Sequence, residues 1–275
     1  MKHVKFILLF MVPSILTFFV AIIAAFFIYP AYNKQDTFGK VLIAIFTPLI
    51  TVVLKVASRF CIQRFWCRIS HPGTSFVLLA PLYCGSAVML RLLQVDLQRL
   101  ESVTLIGVIH GIAEVIDRSI MVLIDHICHR LLDNRKVPWG GFRTPRRERL
   151  AADISLMSML YESSAVISVN VFLHLYQYFY TYDDSPIKLL QSFAITTSVP
   201  LAIEWFFTSV SIIIETRYQN MPIMAVWRKR WKRYIVVGMI NVVMICPWIG
   251  ENLLTTVHDH FKENAKDHCK MPFSS

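Results

Sequence analysis

The chain has 275 residues, of which 55% are hydrophobic and only 17% are charged, against roughly 25% charged residues in an average soluble domain. Its mean hydropathy is +0.52, so the chain cannot cover itself with polar surface in water. These values exclude or strongly disfavour a soluble enzyme, a disordered tail, a collagen-like chain and a disulfide-rich secreted domain. They predict an all-α protein, a polytopic bundle of transmembrane helices that forms a single integral membrane domain over residues 1–275.

Seven apolar segments meet or approach the length of about 20 residues that a helix needs to cross a bilayer. In chain order they cover residues 6–29, 38–54, 76–93, 103–124, 154–178, 189–214 and 234–254, and a polar tail follows at 255–275. The first segment follows Lys2 and Lys5, as a secretory signal would, but its apolar run exceeds the 7–15 residues of a signal peptide. We therefore expect a retained signal anchor, with a cleaved signal as the alternative.

The segments on the two sides of the predicted spans differ in the number of Lys and Arg residues they contain. Residues 1–5, 55–71, 125–151 and 215–233 hold 19 of them, whereas residues 31–40, 91–102, 181–188 and 255–275 hold 8. Because cytoplasmic loops carry the excess of Lys and Arg, this pattern predicts seven spans with a cytoplasmic N-terminus, a C-terminus outside and a basic cytoplasmic loop at 125–151. G-protein-coupled receptors run in the opposite direction, so the orientation argues against that class.

The net charge of +10 comes from basic clusters beside the apolar spans. Such clusters favour anionic lipid headgroups over nucleic acid. We therefore expect the partner to be a bilayer with anionic headgroups on its cytoplasmic side, expect no nucleic-acid partner, and leave an oligomer open. The expected headgroup contacts are Arg146, Arg147, Arg228, Lys229, Arg230, Lys232 and Arg233.

The fourth span carries ionisable residues at membrane depth. A charged side chain there costs roughly 2.5–3.5 kcal/mol on insertion scales, so it needs a partner or a function. At 100° per residue, His110, Glu114 and Asp117 share one face of the helix, with Gly107 and Gly111 close to them. We expect this face to point into the bundle, where the glycines allow a neighbouring helix to approach closely.

The next three spans repeat this pattern. Glu162 and Asn170 lie in one stripe of span five with His174 at its edge, Glu204 lies in a stripe of span six, and Asn241 in one of span seven. Spans four to seven are therefore predicted to line a common polar interior. Its candidate residues are His110, Glu114, Asp117, Glu162, Asn170, His174, Glu204 and Asn241.

Three functions are compatible with such an interior. The preferred hypothesis is transport or conduction of a cation, a proton or a small solute, in which the carboxylates neutralise or relay the charge. The first alternative is a non-catalytic receptor or assembly component, in which the polar residues only fasten helices together. The second is an intramembrane metal-dependent lipid hydrolase, with His110, Glu114 and His174 (or Glu162) as candidate metal ligands. The sequence identifies no cofactor, and it does not distinguish the plasma membrane from internal membranes.

Overall fold

A computed structural model describes residues 37–65, 75–95, 100–133, 144–180 and 186–260, together with ten single positions between 15 and 35. From residue 244 to residue 260 it describes the backbone only. The first predicted span (6–29) is thus covered only at isolated positions, and most of the predicted tail (255–275) lies outside the described residues.

Six α-helices carry the described fold. They are α1 (Thr37–Phe65), α2 (Ala80–Val95, preceded by a 3₁₀ turn at Ser75–Leu78), α3 (Leu100–Asp133), α4 (Pro145–Tyr180), α5 (Pro186–Arg217) and α6 (Ile223–His260). No strand occurs among the described residues, which confirms the prediction of an all-helical chain there.

Three of these helices are long and apolar enough to cross a membrane. They contain the segments Phe38–Arg59 of α1, Arg147–Phe179 of α4 and Ile187–Arg217 of α5. These segments include the predicted spans 38–54, 154–178 and 189–214. Two of the other described helices differ from them for plain reasons: α2 has only 16 residues, and the apolar part of α3 is interrupted by its ionisable stripe.

The helices continue beyond the apolar segments, so the predicted basic loop at 125–151 is largely helical. Residues 125–133 are the end of α3, and residues 145–151 are the start of α4. The Oγ1 atom of Thr144 accepts a hydrogen bond from the amide of Arg147 at 3.4 Å, and Pro145 follows at the first helical position. This is a usual helix start. Hydropathy marks the part of a helix that lipid can surround, not the point where the helix ends.

The short helix α2 lies inside the bundle. It packs against α1, α4 and α6, and α4 in turn packs against α5 and α6. Leu79, Ala80 and Ala87 are fully buried in a core cluster that joins α2 to α4 and α6. Helix α3 packs extensively against α5. This contact brings the polar faces of the two helices together.

A tight turn joins α5 to α6. Asn220 adopts a positive φ of 51°, a conformation that asparagine tolerates better than most residues. The side-chain amide of Gln219 donates hydrogen bonds to the carbonyl oxygens of Arg118 and Ser119, at 3.3 Å and 3.0 Å. The turn is therefore held against α3, at the end of the polar face.

Candidate functional site

Buried polar side chains form a column between α2, α3, α4 and α5. We divide it into two layers, each built around one arginine. The Arg91 layer consists of Arg91, Gln94, His110, Glu162 and Glu204, and the Arg118 layer consists of Glu114, Arg118, Ser155, Ser158 and Glu215.

In the Arg91 layer one guanidinium serves two carboxylates. The Nη2 atom of Arg91 donates a hydrogen bond to Oε2 of Glu204 at 2.7 Å and lies 3.8 Å from Oε2 of Glu162. Its Nη1 atom donates to Oε1 of Gln94 at 2.8 Å. Nε2 of His110 lies 3.7 Å from the same Glu162 oxygen. Side chains from α3, α4 and α5 thus cluster around the buried guanidinium of Arg91 on α2.

The Arg118 layer repeats this chemistry about three turns along α5. Arg118 donates through Nη2 to Glu114 and through Nη1 to the hydroxyl of Ser155 at 3.3 Å. That hydroxyl donates to Oε2 of Glu215 at 2.6 Å, and the hydroxyl of Ser158 donates to Glu114 at 3.3 Å. Again one guanidinium stands between two carboxylates.

The polar column contains more carboxylates than guanidinium groups. Its two layers together hold four glutamates and two arginines, with His110 as a further titratable group. Glu114 lies within electrostatic range of Glu204, so the two layers influence each other. On α5, eleven residues separate Glu204 from Glu215, which is roughly 16 Å along a helix.

Several buried atoms of the column, and one oxygen of the neighbouring Asp117, make no hydrogen bond with any described residue. Buried polar atoms are usually hydrogen-bonded, and exceptions need an explanation such as a bound ion or a catalytic role. The atoms concerned are Nε of Arg91, Nδ1 and Nε2 of His110, and one carboxylate oxygen each of Glu114, Asp117, Glu162 and Glu215.

Two predicted interior residues, Asn170 and His174, lie away from both layers. The amide of Asn170 donates to the carbonyl oxygen of Thr196 at 3.3 Å. Nδ1 of His174 lies 2.8 Å from the Asn170 carbonyl oxygen, and its Nε2 lies 3.4 Å from the hydroxyl of Ser192. These residues connect α4 to α5 beyond the Arg91 layer.

Two further predicted residues lie outside the two layers, Asp117 of α3, which neighbours them, and Asn241 of α6. The side-chain amide of Asn241 donates to the carbonyl oxygen of Val237, one turn earlier in its own helix, at 2.8 Å. Asn241 is half-buried. The described part of the last predicted span therefore contributes no side chain to either layer.

The candidate metal ligands are not brought together. His110 lies beside Glu162, and His174 is twelve residues further along α4, roughly 18 Å at the rise of an α-helix. Among the described residues, no group of three or more His, Cys, Asp or Glu side chains is placed to hold a metal ion.

The expected headgroup-binding residues occupy the first turns of α6 and α4. Arg228, Lys229, Lys232 and Arg233 are exposed, whereas Arg230 and Arg147 are half-buried, and the side chain of Arg146 lies outside the described ones. The ammonium of Lys232 lies 5.7 Å from the ring centre of Trp231, which is itself exposed.

A separate polar contact ties the start of α4 to α6. The hydroxyl of Tyr234 donates to Oδ1 of Asp153, and both residues are buried. The ring of Tyr234 stacks on Trp227 at 6.3 Å and packs against Phe76 at 5.0 Å. This contact was not predicted, because it joins two positions at the ends of apolar spans.

Sequence reasoning also missed Arg91. Its position near the end of the third span assigned it to the connecting segment 91–102, whereas α2 continues through it to Val95. The spacing of Arg91 and Gln94, one turn apart in an otherwise apolar helix, is the signal that could have placed both on an interior face.

Comparison with known proteins yields no relative from which to transfer a function. No family model, no curated protein and no solved structure matches the chain. The polar column is therefore the feature of the molecule that bears on its function.

Proposed function

We propose that this chain is a multi-pass integral membrane protein that transports or conducts a cation or a proton along the polar column. The observation that carries the proposal is the excess of carboxylates in the buried interior, where four glutamates share two arginines. Such an interior attracts positive charge and repels anions.

The outward surfaces of the helices support a membrane location beyond the three apolar segments. On α3, exposed apolar side chains recur every three to seven residues along the whole helix: Leu105, Ile112, Ile116, Ile120, Leu123 and Ile127. On α6, Ile235, Val236, Met239, Ile240 and Val243 form a similar exposed face. Large contiguous apolar surfaces are costly in water, whereas lipid covers them without cost.

The buried carboxylates support a role in moving charge. Ionisable side chains at membrane depth are rare and commonly mark ion or proton pathways. Here they form a continuous series on α5, where Glu204, Thr208, Ser211 and Glu215 are all buried. The stripe gives a translocated cation successive oxygen ligands across about three turns.

The proposed arrangement in the membrane has seven spans with a cytoplasmic N-terminus. It is supported by the distribution of Lys and Arg, which places the exposed basic turns of α6 on the cytoplasmic side. In this orientation Lys229, Lys232 and Arg233 reach the anionic headgroups of the inner leaflet.

The test is a flux assay with purified protein in liposomes, using proton, sodium and potassium gradients in turn. We expect at least one of these gradients to dissipate faster than in empty liposomes. Glu204→Gln and Glu162→Gln should each abolish this flux. Glu101→Gln is the control, because Glu101 is an exposed glutamate in the first turn of α3.

The proposal is wrong if folded wild-type protein moves none of the three cations. It is also wrong if both Gln variants keep the wild-type flux while eluting as monodisperse protein.

One observation favours a second candidate function, a non-catalytic assembly component. Both arginines make hydrogen bonds that join helices, Arg91 to Glu204 at 2.7 Å and Arg118 to Ser155 at 3.3 Å. Polar contacts of this kind fasten transmembrane helices together by about 0.6–2 kcal/mol each. Under this alternative, Glu204→Gln lowers the stability of the fold and there is no flux to lose.

A further inference from the structure

The Arg91 layer already contains its own cation. The guanidinium of Arg91 contacts Glu204 at 2.7 Å and lies 3.8 Å from Glu162. A metal ion that used these two carboxylates as ligands would have to displace the guanidinium from between them. A proton binds a single carboxylate oxygen, so it can enter the layer while Arg91 remains on the other glutamate.

We infer that the charge carried through the polar column is a proton, and that Arg91 is a positioning residue that moves between Glu204 and Glu162 as these are protonated in turn. This inference rests on the proposed function and deepens it, because it names the transported species and the residue that controls its transfer.

The transfer has a simple charge balance. When Glu204 takes up a proton, its carboxylate becomes a neutral acid and loses its ionic attraction to the guanidinium. Arg91 then pairs with Glu162, which is still ionised. When Glu204 passes the proton to Glu162, Arg91 returns to Glu204, and the layer carries one additional positive charge until the proton leaves it.

The other charged groups around the layer make this exchange sensitive to small movements. Lys55 of α1 lies within electrostatic range of Glu162, and Glu114 of α3 is within range of Glu204. His110 lies 3.7 Å from Glu162, and neither of its ring nitrogens makes a hydrogen bond with a described residue. In the inferred scheme, His110 is the neighbouring titratable group that accepts the proton from Glu162.

The Arg118 layer is the next proton-binding site along the column. Arg118 bonds directly to Glu114 and reaches Glu215 through the hydroxyl of Ser155. This second guanidinium between two carboxylates permits the same exchange. Two layers that each hold one guanidinium and two carboxylates, placed in series, suit a particle that hops between sites better than one that needs a continuous open passage.

The first experiment compares the ions in liposomes. We expect wild-type protein to move protons at a rate that does not change when sodium replaces potassium. If the protein moves sodium or potassium but not protons, the inference is overturned and the proposed function stands. If it moves no cation, the proposed function itself is overturned.

The second experiment tests Arg91. Arg91→Gln removes the mobile counter-ion, so we expect proton flux to fall by about 100-fold, within the range of positioned proton-transfer groups. Arg91→Lys keeps the charge but not the fork that spans two carboxylates, and should retain a measurable fraction of the flux. Equal and undiminished flux in both variants overturns the inference while leaving the proposed function intact.

Infrared difference spectroscopy provides a readout that does not depend on transport. Acidification protonates many carboxylates, so the readout is the difference between variants: the wild type should show a C=O stretching band of a protonated carboxyl group that Glu204→Gln lacks. If Arg91→Gln fails to fold, this difference and the flux of Arg91→Lys decide the question. Acidification spectra that are identical for the wild type, Glu204→Gln and Glu162→Gln overturn the inference.

Discussion

At the scale of single residues, the bundle depends on a few buried charges that are shared rather than paired one to one. Arg118 is almost completely buried and is bonded to Glu114 and Ser155. Removing one member of such a group leaves its partners buried without compensation. The penalty for that is larger than the net benefit of making the contact.

Arg118→Met is therefore expected to lower the free energy of unfolding by about 3–5 kcal/mol. The measurement is an unfolding titration with SDS in mixed micelles. The double variant Arg118→Met with Glu114→Gln should recover part of the loss, because one uncompensated carboxylate is removed. A single variant within ~0.5 kcal/mol of the wild type would contradict this account.

Tyr234→Phe removes the hydrogen bond to the buried carboxylate of Asp153 and keeps the aromatic ring in its stack. We expect a loss of ~1–3 kcal/mol of stability, the cost of leaving a buried acceptor without its donor. Tyr218→Phe is the matched control, since Tyr218 is 82% exposed. Equal effects of the two substitutions would show that the Asp153 contact contributes nothing.

At the scale of helices, the close approach of α3 and α5 sets the geometry of the column. Gly107 and Gly111 lie one turn apart on α3, opposite Ile203 and Phe207 of α5. A methyl group added at Gly107 would meet Ile203 at an ordinary 3.7 Å, whereas one at Gly111 would overlap the ring of Phe207. The close packing of α3 against α5 thus requires a glycine at position 111 but not at position 107.

Gly111→Ala should destabilise the protein by about 1–3 kcal/mol, because the ring of Phe207 must move aside. Gly107→Ala should be neutral or slightly stabilising, since the space is available and alanine favours helix. Comparing the two by thermal unfolding in detergent isolates the contact from any general effect of glycine. The reverse order of stability would refute this packing.

Helical periodicity accounts for the part of the site that the sequence could predict. The phase of 100° per residue places Glu204 and Glu215 on one face of α5, and the structure buries both. Periodicity cannot identify the residue of another helix that contacts this face. Arg91 could therefore be assigned to the column only from the packing of α2. It also cannot separate Glu162, which joins the column, from His174, which lies three turns further along α4.

At the scale of the whole molecule, apolar side chains face outward on α1, α3, α5 and α6, while the charges of the polar column face inward. Soluble bundles have the opposite arrangement. The apolar outer surface and the buried polar column are the arrangement expected of a protein in a lipid environment, whatever the interior does.

The proposed topology predicts the side on which each helix end is exposed. In a variant without native cysteines, Lys229→Cys and Arg130→Cys should react with an impermeant maleimide only from the cytoplasmic side of sealed vesicles. Glu101→Cys and Lys188→Cys should react only from the other side. Labelling of Glu101→Cys and Arg130→Cys from one side would mean that α3 does not cross the membrane.

The contact between Arg91 and Glu204 also bears on how the protein is made. The two residues are 113 positions apart in the chain, and ribosomes add about 5–20 residues per second. For roughly ten seconds, the nascent helix α2 therefore carries a guanidinium whose closest carboxylate partner, Glu204, has not yet been synthesised. Under the proposed topology, this charge disfavours placing α2 among lipid tails until Glu162 of α4 and then Glu204 of α5 are available. Translation products that stop before α5 should accordingly be poorly inserted and rapidly degraded.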